Sequence, residues 1–206
     1  EALMFVNFIK EVNGGEEENE TPIVHLKMMD NVFNKDKRCA ILCHRGIGKT
    51  TLFAEYLVLF VAAFGYFPGF GKTNLILYVT DSIENGVKNL RRNVEFRYAN
   101  SEFLQKLIPN RKITVGTNNA GFVDEEEYER QAAGGRKFTD IRLEFMNHKG
   151  HTTVVKGYGA KTGVRGAKEM GQRPTIAILD DLVSDTDAES PTIIKTIENT
   201  VYKAVS

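Results

Sequence analysis

Three short stretches carry residues whose types and spacing could do chemistry. The first is "CHRGIGKTT" (Cys43–Thr51), where Gly46, Gly48, Lys49 and Thr50 follow the end of a phosphate-binding loop, G-x-x-x-x-G-K-[ST]. In such a loop, glycines turn backbone N–H groups around phosphate oxygens at a helix N-terminus, and the lysine neutralises phosphate charge. The pattern's opening glycine is replaced here by Cys43, at the end of an apolar run where a small side chain suffices. On its own, so short a string also fits a glycine-rich turn before a helix. The second stretch, "TIAILDD" (Thr175–Asp181), is an apolar strand pattern ending in two carboxylates. Asp180 suits a Mg²⁺ contact and Asp181 the orientation and deprotonation of an attacking water, or else Asp181 is a solvated acid at a strand end. The third, "GAKTGVRGAK" (Gly159–Lys168), presents Arg165 with glycines on both sides. Hydrolysis of a terminal phosphate needs charge neutralisation more than covalent chemistry, so Arg45 inside the loop and Arg165 are both candidates. Judged by spacing alone, Arg165 reads as a turn arginine in a surface ion pair worth about 0 to 1 kcal/mol.

These residues need elements to hold them. "RCAILC" (Arg38–Cys43) reads as a strand, Thr50–Phe64 as a buried helix, and "LILYVT" (Leu75–Thr80) as a second apolar strand. Asp81 with Glu84 three residues on suggests a helix start, and Ile83, Val87, Leu90 and Val94 mark one helical face. Apolar spacing continues after Ser101 until Pro109 stops it. "VDEEEYERQAAGGRK" (Val123–Lys137), like "EVNGGEEENET" near the start, is acidic and glycine-containing and reads as an exposed loop. "DIRLEFMN" and "TTVVKGYG" around "HKGH" read as a hairpin. Strands alternating with helices imply an α/β domain with a mainly parallel central sheet flanked by helices.

Composition bounds the rest. At 206 residues, 42% of them hydrophobic, the chain can bury one substantial core and is most simply a single domain over 1–206, with 1–21 as lead-in. Lys plus Arg and Asp plus Glu both number 27, so any nucleic-acid surface must come from local clustering. "KNLRRNVEFR" (Lys88–Arg97) is one such cluster, but interspersed glutamates make a solvated helix face as good a reading. The longest apolar run, Tyr56–Phe64, falls short of the roughly 20 residues that span a bilayer, so no membrane is expected. Cys39 and Cys43 suit reduced thiols in a cytosolic protein rather than a disulfide framework. His25 and His44 could line a nucleotide, although a lone histidine is more often structural, and His148 and His151 lack a third metal ligand nearby. The sequence opens without Met and stops without a closing feature, as a piece of a longer protein would.

Taken together, "CHRGIGKTT", "LILYVTDSIENGVKNL" and "GVRGAKEMGQRPTIAILDD" resemble the ATPase domain of the large terminase subunit, the genome-packaging motor of tailed bacteriophages. The resemblance runs from about Pro22 to Glu189. It implies a P-loop NTPase of the additional-strand, catalytic-glutamate type, working with ATP and Mg²⁺ in the host cell cytoplasm. The implied assembly is a homo-oligomeric ring on the procapsid that translocates double-stranded DNA, with portal protein and small terminase subunit as partners. The resemblance gives the nucleotide to His44, Arg45, Gly46, Ile47, Gly48, Lys49, Thr50 and Thr51, and the metal to Thr50 and Asp180. Catalysis falls to Lys49, Arg45, Asp181 and Arg165, the last reaching a neighbouring subunit's site as it does in some members. Many members have glutamate where Asp181 stands, so either the shorter acid does that work or a downstream one such as Glu189 replaces it. The family's nuclease domain has no counterpart within the chain, and the acidic Asp124–Glu129 stretch looks like an insertion. The alternatives are a helicase-like or other P-loop motor on nucleic acid, a small-molecule phosphotransferase, and a nucleotide-gated assembly module without turnover.

Overall fold

The computed structural model describes residues 1–15, 21–34, 39–44, 46–117, 121–134, 138–161, 164, 168–169 and 171–205. Arg45 and Arg165, and the basic pair Arg136 and Lys137, lie outside the described residues.

A six-stranded mixed sheet forms the centre, in the order β5 (Gly121–Val123), β4 (Asn110–Thr117), β6 (Phe138–Met146), β7 (Thr152–Gly159), β3 (Leu75–Thr80), β8 (Ile176–Leu179). A two-stranded ribbon, β1 (Tyr66–Phe67) with β2 (Gly71–Lys72), stands apart from it. β7, β3 and β8 run parallel, whereas β5, β4, β6 and β7 pair antiparallel with their neighbours. The α/β expectation therefore holds, and the expectation of a mainly parallel sheet does not. The predicted hairpin is its cause: β6 and β7 pair antiparallel from Met146↔Thr152 outward, and β4 adds to β6 in the same sense.

Seven helices described here flank the sheet or extend from it: α1 (Ala2–Val12), α2 (Ile23–Val32), α3 (Leu57–Phe64), α4 (Lys88–Ala99), α5 (Glu102–Leu107), α6 (Glu125–Ala133) and α8 (Pro191–Val205), with the single turn α7 (Asp185–Ala188) before the last. α3 and α4 are each entered through a wider π-helical stretch, Thr51–Tyr56 and Ile83–Val87. One sheet face meets the larger core. There Phe60 of α3 contacts Phe5 and Phe8 of α1 edge-on, at centroid distances of 5.5 and 5.2 Å. The lead-in thus contributes a fully buried phenylalanine, Phe5, because Phe5, Phe8 and Val12 recur at helical spacing. The opposite face of β3 and β8 is covered by α8, with Leu77 and Val79 packed near Ile197.

Two further expectations need correction. Of Arg38–Cys43, expected as the strand before the phosphate loop, the described residues, 39–43, form no strand. Their side chains are largely exposed, Leu42 at 98%, so neither burial nor a ladder of hydrogen bonds holds them extended. A five-residue apolar run becomes a strand only when something pairs with it. The acidic stretch after Val123 is helical rather than a loop. The Asp124 carboxylate accepts the Glu127 N–H at 3.0 Å, acids fill the first turn where the helix dipole favours them, and Arg, Gln and Ala sustain α6.

Among the described residues no helix is long and apolar enough to cross a membrane, and Cys39 and Cys43 are free thiols.

Candidate active site

The glycines of the loop do what their type permits. Gly46 and Gly48 have φ of 89° and 76°, a left-handed conformation that costs a residue with a Cβ, and between them the chain turns into the helix beginning near Lys49. The Leu52 N–H donates to the Gly48 carbonyl at 2.9 Å, closing the first turn. His25 on α2 lies 2.6 Å from the Ile47 carbonyl through its Nε2, so α2 braces the loop from outside. That makes His25 a support of the loop backbone, in keeping with its structural reading. Lys49, Thr50 and Thr51 are half-buried on the helix side, and His44 is exposed at the loop's entrance.

Asp180 reaches this loop by following β8. Tyr78 pairs with Ile178, and Val79 with Leu179, in a parallel register that carries the strand tips to the same end of the sheet. The Asp180 N–H donates to the Val79 carbonyl at 2.9 Å and fixes the start of the turn. Asp180 stands two residues beyond Ile178, so it projects from the face that Tyr78 occupies. There Thr50 donates its Oγ1 hydrogen to Asp180 Oδ2 at 2.7 Å. The two predicted metal-site residues are thereby brought into direct contact.

Tyr78 was not singled out by the sequence reading. Its side chain is 2% exposed, and its hydroxyl donates to the same Asp180 Oδ2 at 3.3 Å. Burial, and next the negative charge of Asp180, push the phenol well above its ordinary value, so it stays protonated and remains a donor. The signal available in advance was a hydroxyl inside "LILYVT": a buried tyrosine O–H needs an acceptor, and one belonged within reach of that strand. Polar contacts continue past it, with Thr80 Oγ1 donating to Asp81 Oδ1 at 3.3 Å and Ser82 Oγ to Asp81 Oδ2 at 3.2 Å. Asp81 is therefore part of the strand-tip network. The helix cap predicted for it belongs to Ser82, whose Oγ accepts the Asn85 N–H at 3.2 Å.

Asp181 is exposed and adopts φ 48°, the positive value of a non-glycine residue among those described. Strain of that kind persists only when the surroundings impose it, and it turns the second carboxylate out of the strand's alternation. Glu189, the alternative acid, sits exposed at the end of α7.

Described residues before and after Arg165 make firm contacts of their own. Before it, Lys161 pairs with Asp187 at 2.6 Å, and Val164 is buried at 3% exposure. After it, Glu169 bonds Arg142 and Lys156, each at 3.0 Å. Burial opposes charge on Glu169, but Lys156 and then Arg142 prevail and hold its carboxyl below the ordinary value.

The donor set of Thr50 and Asp180 is hard oxygen, which suits Mg²⁺, an ion that usually takes one or two protein ligands and completes its shell with water and phosphate. Among the described residues no three His, Cys, Asp or Glu side chains stand together to form an all-protein metal cage. An open cleft elsewhere, lined by Glu95, Arg111, Asp124, Glu126 and Glu129, shares no residue with the loop, and Arg111 there is tied to Glu95 at 2.9 Å.

Comparison of the chain with protein-family models, with curated proteins and with solved structures finds no match.

Proposed function

We propose that this chain is a Mg²⁺-dependent ATPase domain of the P-loop, additional-strand type, whose hydrolysis drives double-stranded DNA into a viral procapsid, as in the large terminase subunits it resembles. The observation that carries the reading is the 2.7 Å hydrogen bond from Thr50 to Asp180, which joins a glycine-turned helix start to the acidic tip of an apolar strand. A glycine-rich turn and a solvated strand-end acid would have no reason to meet.

In this mechanism the loop amides and Lys49 bind the phosphates at the helix N-terminus and counter their charge. Thr50 and Asp180 would hold Mg²⁺, which when bound supplies positive charge to the phosphate oxygens. Asp181 orients the attacking water and accepts its proton at the carboxylate. Arg165 stabilises the charge that develops on the transferred phosphoryl group from an adjacent subunit, a contribution of roughly 10³ to 10⁵ in rate for an arginine finger. The assembled ring, the portal and the small terminase subunit as partners, and the host cytoplasm as location belong to the same proposal.

Mixing variants tests it. Asp181→Asn and Arg165→Ala proteins, each inactive alone, should recover ATP turnover when combined at concentrations that assemble, because one subunit supplies the acid and its neighbour the arginine. No recovery counts against the shared site. Translocation of duplex without strand separation separates a packager from a helicase-like motor, and a phosphorylated acceptor in place of free phosphate identifies a phosphotransferase.

A further inference from the structure

Asp180 has two hydroxyl donors on one oxygen. Thr50 and Tyr78 both donate to Oδ2, at 2.7 and 3.3 Å, from different elements: the helix start and the neighbouring strand. The donors differ in mobility. Thr50 stands on the loop that a nucleotide must engage, and its hydroxyl is free to rotate about one bond. Tyr78 is 2% exposed in the middle of β3, locked by the core around Ile76 and Ile178.

Their chemistry also matters. A lysine or arginine against Asp180 would compensate the carboxylate and compete with any cation; neutral hydroxyls orient it while leaving its charge available. Among the described residues Asp180 forms hydrogen bonds to Thr50 and Tyr78 and no ion pair. The register makes the contact a consequence of the fold: Tyr78 opposes Ile178, and a ring long enough to pass one residue pair reaches the carboxylate two positions on.

We propose that Tyr78 is a positioning residue for the metal-binding carboxylate, its buried hydroxyl holding Asp180 Oδ2 so that the acid meets Mg²⁺-nucleotide in one orientation. This rests on the reading of the site as a Mg²⁺-nucleotide site. Were Thr50 to turn an oxygen lone pair toward a cation and its hydroxyl to rotate, Tyr78 would hold the carboxylate from the strand side.

The test is the Mg²⁺ dependence of binding of a fluorescent, non-hydrolysable ATP analogue. In wild-type protein the analogue tightens as Mg²⁺ is added, and in Asp180→Asn it does not. Tyr78→Phe should bind the analogue like wild type in EDTA but need roughly ten-fold more Mg²⁺ for half of the tightening, the scale of one hydrogen bond to a charged group. Tyr78→Phe added to Asp180→Asn should change nothing further. A purely structural tyrosine would lower the melting temperature and leave the Mg²⁺ midpoint where it was, and that outcome in folded protein overturns the proposal. Should Tyr78→Phe be insoluble, Tyr78→p-methylphenylalanine fills the volume of the hydroxyl without donating and is read the same way. Wild-type protein that binds the analogue without any Mg²⁺ dependence overturns the underlying reading of the site as well, which separates the two failures.

Discussion

Thr50 and Asp180 are 130 residues apart in sequence and 2.7 Å apart in space. The contact ties the first turn of the helix leading into α3 to the tip of β8, across elements that share no local sequence signal. Whatever binds the loop must therefore deal with Asp180.

Replacing Thr50 with Val keeps the side-chain volume and removes the donor. The half-buried carboxylate loses one of the two hydrogen bonds it accepts among the described residues, so unfolding free energy should fall by about 1 to 2 kcal/mol in urea titration. On the proposed function, ATP turnover in the assembled protein should fall by roughly 10²-fold, the scale of removing one preorganised polar contact at a reacting phosphate. Turnover that survives while stability drops would leave the contact with a structural role alone.

Gly157 on β7 faces the π-helical stretch before α4, and a Cβ there would lie 2.2 Å from Val87 Cγ1. Gly157→Ala should destabilise by about 1 to 3 kcal/mol through overpacking, and Val87→Ala in the same chain should return part of that loss. Urea melts of the two single variants and the double variant measure the coupling. Additive losses would mean the strand and helix can move apart without cost.

Glu55 is 3% exposed in the helix leading out of the loop, and α4 surrounds its carboxylate with Asn93 at 2.8 Å and Arg97 at 2.8 Å. The same arginine stacks over Tyr56, 4.2 Å from the ring centroid. Glu55→Ala strands a half-buried guanidinium and should cost about 2 to 4 kcal/mol, whereas Glu55→Gln keeps the shape and should cost less. Thermal melts rank the two; equal losses would show that charge at this position is immaterial.

Glu169 provides a pH test. Its folded carboxyl lies below the ordinary value of 4.5, so it binds protons less readily in the folded state than in the unfolded. Its contribution is therefore fully present above pH 4.5 and disappears as pH falls through the depressed folded value. Wild type should be more stable than Glu169→Gln at neutral pH, and the gap should close on acidification below the ordinary carboxylate range. A gap independent of pH would place the effect in packing rather than in the ion pairs with Arg142 and Lys156.

Much of the local architecture was legible because its causes are local. Ile83, Val87, Leu90 and Val94 are buried as their spacing required, Ser101 caps α5 by accepting the Leu104 N–H, and the hairpin around "HKGH" pairs as read. The helix after the loop forms because its residues are apolar all round and so fit only a core. Errors fell where local pattern is silent or ambiguous. The acid-rich composition of Glu125–Glu129 suggested a solvated loop, yet capping by Asp124 and the residues after it make a helix.

Chemistry-bearing types and their order along the chain were thus set by the sequence: the positive-φ glycines, Lys49 and Thr50 at a helix start, and paired acids ending an apolar strand. Only the tertiary structure decided that 39–44 stays out of the sheet, that antiparallel pairing rules half of it, and that Tyr78 and Thr50 converge on one oxygen of Asp180. Strand pairing and side-chain convergence depend on which segments meet and in what register, and those are choices between distant parts of the chain made by burial and backbone hydrogen bonding over the whole core.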